Sequence, residues 1–140
     1  MGQDLLFQRE IKEAVRDAYR GIQRGAGERV ARRLYSEEQL AKVPAGAIAW
    51  ALGVGNPVLH AELRPGETVL DLGSGGGMDT ILAAHEVGPT GRAIGIDLLD
   101  EMVERAAVHA RDAAVDGWTE FRRAEMEDIP LPDGSVDVVI

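Results

Sequence analysis

The sequence predicts an α/β fold in which a helical N-terminal segment precedes a parallel β-sheet. Apolar residues recur at helical spacing before residue 63, and strand-like and helix-like segments alternate after residue 68. The connections between those segments are short, which is typical of right-handed strand–helix–strand units. A glycine-rich loop, "GSGGG", directly follows the first predicted strand. Because glycine weakens helices and strands, this loop indicates that the backbone must approach something closely.

Residues 1–63 are predicted to form the helical segment. In "DLLFQREIKEAVRDAYRGIQ", apolar residues recur every three or four positions and so form one apolar helix face. The stretch "SEEQ", from Ser36, has the pattern of a capping box that begins a short helix, which Pro44 ends. After a glycine break, Asn56 and Pro57 are predicted to begin another helix.

Residues 64–140 are predicted to form the sheet domain, which begins after the turn "RPGE". The chain stops within an apolar fourth strand, so we expect a truncated fragment or a module that another chain completes. The open edge at Ser135–Ile140 also predicts a homodimer through this strand. The predicted strands are residues 68–72, 92–97, 118–124 and 135–140, and the predicted helices are residues 78–88 and 100–115.

Composition limits the possible chemistry. The chain has no cysteine, which excludes disulfides, thiolate metal sites and a cysteine nucleophile within these 140 residues. No pair among His60, His85 and His109 has the spacing of metal ligands, so we expect solvated or helix-surface roles for them and no metal site. Because neither a secretory signal nor a membrane-spanning segment is recognisable, we predict a cytoplasmic location.

The net charge of −9 is unevenly distributed along the chain. Residues 1–35 carry eight Lys or Arg against five Asp or Glu, whereas the remainder carries seven against nineteen. An acidic body of this kind repels nucleic acids and anionic membranes, so neither is predicted as a partner. The basic N-terminal segment is interpreted as a solvated helix face, with anion binding as the alternative.

The glycine loop is the main candidate for a binding site. Asp71 stands at the end of the first strand, and glycines at 73, 75 and 77 lead into the next helix. We expect free backbone N–H groups and the positive end of the helix dipole there, at the carboxyl edge of a parallel sheet. The loop lacks the Lys-Ser/Thr of a P-loop, and Leu72 stands where a nucleophile elbow needs glycine. It matches the dinucleotide fingerprint imperfectly, because Met78 occupies the third glycine position.

Acidic residues on the neighbouring strands strengthen this interpretation. Asp97 closes the second strand, where a carboxylate can accept hydrogen bonds from both ribose hydroxyls of an adenosine. The alternative is that Asp97 only caps the following helix. After the third strand, Glu125 can accept a hydrogen bond from an adenine amino group, with the Met126 backbone at the ring edge; the alternative is an ordinary polar loop.

On these residues the sequence resembles class I S-adenosylmethionine-dependent methyltransferases. "VLDLGSGGG" resembles the family's first motif, "IGIDLLDEMVERA" its second-strand acid and following helix, and "AEMEDIPLPDGSVDVVI" the connection from its third strand to its fourth. "GNP", "LRPGETVLDLGSGGG" and "VGPTGRAIGID" carry a closer resemblance to the arsenite methyltransferase branch, over about residues 36–140. The resemblance implies a Rossmann-like parallel sheet of strand order 3-2-1-4, incomplete after the fourth strand.

The resemblance also implies a site for S-adenosyl-L-methionine. The glycine loop would hold the methionine part, with Asp71 orienting the loop and the ammonium group. Asp97 would bind the ribose, Leu98 would pack on the adenine, and the residues after the third strand would meet the adenine edge. None of these residues is a base or a nucleophile, so no catalytic residue is assigned. The complete set is Asp71, Gly73, Ser74, Gly75, Gly77, Asp97, Leu98, Glu125 and Met126.

Family members transfer a methyl group from a sulfonium to an acceptor, a reaction in which alignment supplies much of the rate. Arsenite methyltransferases hold arsenic with cysteines, but Val54 stands where the family has "G-C-G-N-P". We therefore expect no arsenite methylation by these residues alone, and a small organic molecule as the alternative acceptor. Trp50 is interpreted as core packing, with a place in the acceptor pocket as the alternative. Tyr19 either closes over the cofactor or is buried in the helix face.

Two functions remain open from the sequence. The first is the cofactor-binding part of a methyltransferase. The second is a non-catalytic module that binds S-adenosylmethionine or dimerises, and that a partner chain completes. The two differ in turnover, because only the first requires methyl transfer to an acceptor. A nicotinamide enzyme is a third reading, which the glycine spacing disfavours.

Overall fold

The computed structural model describes residues 2–20 and 27–140, with side chains from residue 8 onward. Within this part of the chain, five helices precede the first strand, and strands and helices then alternate as predicted. The helices are α1 Gly2–Arg20, α2 Gly27–Leu34, α3 Glu37–Ala41, α4 Ala45–Ala49, α5 Pro57–His60, α6 Met78–Val87 and α7 Asp100–Asp112. The strands are β1 Thr68–Leu72, β2 Arg92–Asp97, β3 Thr119–Arg123 and β4 Val138–Val139.

The short N-terminal helices begin at the residues that the sequence indicates. The Ser36 hydroxyl accepts from the Gln39 amide at 3.2 Å, and the Gln39 side chain accepts from the Ser36 amide at 3.1 Å. This reciprocal pair is the predicted capping box of α3. The Asn56 side chain likewise caps α5 by accepting from the Leu59 amide, and Pro57 occupies the first turn.

The four strands form one parallel sheet of order β3-β2-β1-β4, which confirms the predicted Rossmann-like arrangement. Thr68 is in register with Arg92. The fourth strand spans Val138–Val139, which is shorter than the predicted residues 135–140. The reason is local: Gly134 adopts a positive φ of 66°, and the Ser135 hydroxyl donates to the Pro132 carbonyl at 2.6 Å. Ser135 thus belongs to a turn rather than to the strand.

Apolar residues cover both faces of the sheet. On one face, a continuous cluster joins α6 to β1 and β2 through fully buried side chains such as Ile81, Val87 and Val69. The same cluster contains residues of the helical segment, including Ala31 and Ala47. On the other face, the smaller cluster consists of Leu70, Ile94 and Ile96, with Leu72, Ala124, Leu131 and Val136 packed against it. The division between residues 1–63 and 64–140 stays a prediction, although one core includes residues from both.

Among the described helices, none is long and apolar enough to cross a lipid bilayer.

Candidate functional site

A cavity of about 510 Å³ lies beyond the carboxyl ends of β1, β2 and β3. Its volume is within the range of small-molecule and cofactor sites. One wall is made by the residues that follow the strands, from Leu72 to Asp79, from Ile96 to Leu99 and from Ala124 to Glu127. The opposite wall is made by the helical segment, chiefly by α1 and the loop from Trp50 to Gly55. The position agrees with the rule that open parallel sheets bind ligands beyond their strand ends.

The glycine loop turns sharply away from β1 and bonds to β2. The amides of Gly73 and Ser74 both donate to the Ile96 carbonyl at 2.9 Å, and the Gly75 amide donates to the Asp97 carboxylate at 2.9 Å. The expectation of free N–H groups is therefore wrong for these three residues, because the end of β2 already accepts their hydrogen bonds. What the loop offers is a surface without side chains: a Cβ at Gly75, whose φ is 52°, would meet no atom within 4 Å.

Behind the loop, two glycines allow close packing. A Cβ at Gly77 would lie 3.0 Å from the Cβ of Ala106 in α7. A Cβ at Gly95 in β2 would lie 2.7 Å from the Phe121 ring and 2.8 Å from the Ser74 side chain. The Ser74 hydroxyl is buried there without a hydrogen-bond partner among the described residues. Gly95 could not be predicted as part of the site, since a glycine inside a strand gives no direct signal of what packs against it.

Asp71 lies behind the loop rather than on the cavity wall. Its side chain is buried and accepts a 2.6 Å hydrogen bond from the Thr80 hydroxyl in α6. Burial raises the pKa of Asp71 to about 7, and the charges of Asp79 and Asp97 add to this effect. Its geometry fits the predicted role of orienting the loop. Direct contact with a ligand in the cavity does not follow from this position.

Asp97 lies on the cavity wall at the end of β2 and is half-buried. One carboxylate oxygen accepts from the Gly75 amide and the other from the Leu99 amide, both at 2.9 Å. An ionised carboxylate has about four acceptor positions, so two remain for the hydroxyls of a ligand. The bond to Leu99 corresponds to the alternative role at the start of α7, and both roles are compatible with this geometry. Leu98, beside it, adds an apolar surface to the same wall.

Glu125 and Met126 form the far end of the cavity, after β3. The Glu125 carboxylate pairs with the Lys12 ammonium of α1, and this hydrogen bond lowers the pKa of Glu125 below its usual range. Met126 is more than half exposed, and its methyl group lies 3.2 Å from the position of a Cβ at Gly73. Of the predicted site residues, Asp71 and Gly77 are set back from the cavity, and the others line it.

Two residues that sequence analysis did not single out join at the other end of the cavity. Tyr35 follows α2 directly. Its hydroxyl donates to the Asp79 carboxylate at 2.8 Å and lies 2.9 Å from the Gly55 carbonyl oxygen. Burial raises the pKa of Asp79 to about 6, and burial together with the Asp79 charge raises the pKa of Tyr35 well above its usual value. The only signal for Asp79 was its place directly after the glycine loop, and nothing linked it to Tyr35.

His109 supports the loop from behind, so the prediction of a solvated or helix-surface role is wrong for this residue. It is buried in α7, and its Nδ1 lies 2.7 Å from the Gly76 carbonyl, to which it donates. Trp50 packs against the same loop, since a Cβ at Gly76 would lie 3.0 Å from the Trp50 Cβ. The Trp50 ring is half-buried on the cavity wall, with the Arg105 guanidinium 4.1 Å from its centroid.

The wall made by the helical segment is apolar and open. Ile11, Val15 and Tyr19 lie along one face of α1, line the cavity and are each nearly half exposed. The alternative that Tyr19 is buried in the helix face is therefore wrong, and its closure over the cofactor stays a prediction. Leu52 and Val54 continue the same wall, and Val54 is fully exposed.

This chain is similar to known methyltransferases. Residues 63–140 match the family model described as "Methyltransferase domain". The arsenite methyltransferase of Halobacterium salinarum is 46% identical over 106 residues, which are 76% of this chain and 27% of that protein. The chain thus spans about a quarter of the length of this curated relative.

Two solved structures share the fold. An arsenic(III) S-adenosylmethionine methyltransferase from Chlamydomonas reinhardtii aligns with a TM-score of 0.61 and 31% identity, covering 73% of this chain and 36% of that one. An RNA methyltransferase from Salinibacter ruber, solved with S-adenosyl-L-homocysteine, aligns with a TM-score of 0.52 and 30% identity, covering 59% of this chain and 52% of that one. With the family match over residues 63–140, these similarities identify the chain as a member of the S-adenosylmethionine-dependent methyltransferase family.

Proposed function

We propose that this chain forms the S-adenosyl-L-methionine-binding part of a methyltransferase that acts on a small organic acceptor. The observation that carries the proposal is the single cavity in which the glycine loop, the Asp97 carboxylate and the apolar side chains of Leu98 and Met126 meet. Each of these groups suits one part of an adenosyl amino acid. The glycine loop admits a ligand against bare backbone, and the acid accepts from hydroxyls.

The residues fit the adenosine part of the ligand. Asp97 is fixed by two backbone amides, so its carboxylate is held ready for the ribose hydroxyls. Leu98 and Met126 offer apolar surfaces to the adenine faces, and Glu125 is placed to accept from its amino group. We propose that Gly73, Ser74, Gly75 and Gly77 hold the methionine part of the cofactor, and that Asp71 orients this loop from behind.

The bound cofactor would supply an electrophilic methyl group. This chain's own contribution to methyl transfer is alignment and exclusion of water, because the reaction needs the acceptor in line with the breaking bond. The exposed apolar side chains of Leu52 and Val54 line the same cavity, and an acceptor lying against them would displace water from that surface. A soft metalloid finds no thiolate among these 140 residues, which favours an organic acceptor.

Calorimetric titration of the chain with S-adenosylmethionine, S-adenosylhomocysteine and NAD tests the proposal. We expect heat of binding with the two adenosyl ligands and none with NAD. Asp97→Asn should weaken binding of the adenosyl ligands about tenfold or more, through the loss of charged hydrogen bonds to the ribose. Asp116→Asn is the matched control, since Asp116 is exposed in the turn before β3 and should leave binding unchanged. Absence of heat with both adenosyl ligands would refute the proposal.

The second candidate function is dimerisation without catalysis. Val139 of β4 is more than half exposed at the sheet edge, and an open edge invites pairing with another strand. The homodimer and the cytoplasmic location stay predictions. Sedimentation of the chain tests the first: a monomer across the concentration range would exclude pairing through β4.

A further inference from the structure

Asp79 occupies a distinctive place in the cavity. It lies in the first turn of α6, two residues after the glycine loop, and its side chain lines the cavity. The Tyr35 hydroxyl donates to its carboxylate at 2.8 Å and so holds the carboxylate in one orientation. Asp79 is therefore a fixed acidic group rather than a mobile surface charge.

The carboxylate of Asp79 is partly buried and faces the cavity. Among the ion pairs formed by residues 8–20 and 27–140, none includes Asp79. A buried carboxylate is costly unless a positive group or several donors face it. A ligand with a positive group at this end of the cavity would relieve that cost.

The other acids near the cavity have different partners. Asp71, to which the family resemblance gives the ammonium group, is buried behind the loop and bonded to Thr80. Asp97 is held by the backbone amides of Gly75 and Leu99, and Glu125 is paired with Lys12. Asp79 is thus the acid best placed to touch the end of a ligand that extends past the glycines away from Asp97.

We propose that Asp79, oriented by Tyr35, binds the α-ammonium group of the methionine part of the cofactor. The inference rests on the proposed function, because it assigns one contact within that cofactor site. A charge-assisted hydrogen bond from an ammonium to a carboxylate is stronger than a neutral one and is strengthened further by partial burial. Tyr35 is a positioning residue in this arrangement, since it acts through Asp79.

Three ligands separate this contact from the rest of the site. S-adenosylhomocysteine carries the ammonium group, its desamino analogue has hydrogen in that place, and 5′-methylthioadenosine lacks the whole amino acid part. We expect the unmodified chain to bind S-adenosylhomocysteine about tenfold more tightly than the desamino analogue. Asp79→Asn should remove that preference and leave the affinity for 5′-methylthioadenosine unchanged. Tyr35→Phe should reduce the preference in part.

Glu86→Gln is the matched control. Glu86 is exposed near the other end of α6, and its substitution removes the same charge from the same helix. It should keep the full preference for the ammonium group. The inference is overturned if Asp79→Asn keeps the preference, or if it weakens all three ligands equally, as a misfolded loop would. If the unmodified chain binds none of the three, the proposed function fails as well. If it binds them and the preference is insensitive to Asp79, only this inference fails.

Discussion

The two walls of the cavity are built in different ways. The wall at the strand ends is held by buried contacts: the loop amides bond to the end of β2, Gly95 admits Phe121 and Ser74, and His109 supports Gly76. The wall made by α1 exposes Ile11, Val15 and Tyr19 to the cavity. Among the described residues, the ion pair between Lys12 and Glu125 joins α1 to the wall at the strand ends.

This difference indicates that the wall at the strand ends has a fixed shape and that the wall made by α1 can adapt to a ligand. Backbone bonds and close-packed side chains leave the sheet wall little freedom, so it is formed before any ligand arrives. A half-exposed apolar helix face gains burial only when something lies against it. We therefore expect substitutions in the sheet wall to change both stability and ligand binding, and substitutions in the helix wall to change neither strongly.

The largest effect is expected at Gly95, in the sheet wall. Gly95→Ala places a Cβ 2.7 Å from the Phe121 ring and 2.8 Å from the Ser74 side chain, so β2, β3 or the loop must move. We expect the free energy of unfolding to fall by about 3 kcal/mol, as for overpacked cores, with weaker binding of S-adenosylhomocysteine. Denaturant unfolding measures the first effect. Gly117→Ala is the control, because a Cβ there meets nothing within 4 Å and stability should be unchanged.

Predictions from the sequence were correct for the sheet and wrong for several residues around the cavity, and both outcomes have one physical explanation. The alternation of strands and helices, the capping box at Ser36 and the loop at Gly73 depend on local patterns, and the sequence displays these directly. The strand order was predicted from the family resemblance instead. The burial of His109 and the bond between Tyr35 and Asp79 depend on distant parts of the chain that meet only after folding. Likewise, the loop amides were predicted to be free because nothing local reveals that the Ile96 carbonyl reaches them.

A smaller effect is expected from the buried acid of the sheet wall. Burial raises the pKa of Asp71 in the folded chain to about 7, from an ordinary value of 3.8. Between these values the folded state binds more protons than the unfolded state, so the free energy of unfolding falls as pH rises. Relative to Asp71→Asn, which keeps an acceptor for Thr80, the free energy of unfolding of the unmodified chain should fall by on the order of 2 kcal/mol between pH 5 and pH 7. Urea titrations of both chains at each pH measure this; a difference that does not change with pH would contradict it.

The smallest effect is expected at Lys12, in the helix wall. The side chains of Lys12 and Glu125 remain 30% and 38% exposed, and exposed ion pairs contribute little. Lys12→Gln should change the dissociation constant of S-adenosylhomocysteine less than threefold, towards tighter binding because Glu125 is released. Arg9→Gln is the control, since the Arg9–Glu13 pair lies on the solvent side of α1. A tenfold loss of affinity in Lys12→Gln would mean that α1 carries binding energy and would end the distinction between the walls.

The hydrogen bond from the Gly75 amide to Asp97 links the glycine loop to ligand binding in the cavity. The same carboxylate holds the loop and faces the proposed ribose position, so anything that stabilises it in that orientation also protects the amide from exchange with solvent deuterium. By reciprocity, this hydrogen bond from the loop orients the carboxylate for the ligand. The exchange rate of the Gly75 amide proton, measured by NMR, would thus report the fraction of chains with ligand bound, and the ligand would need no label.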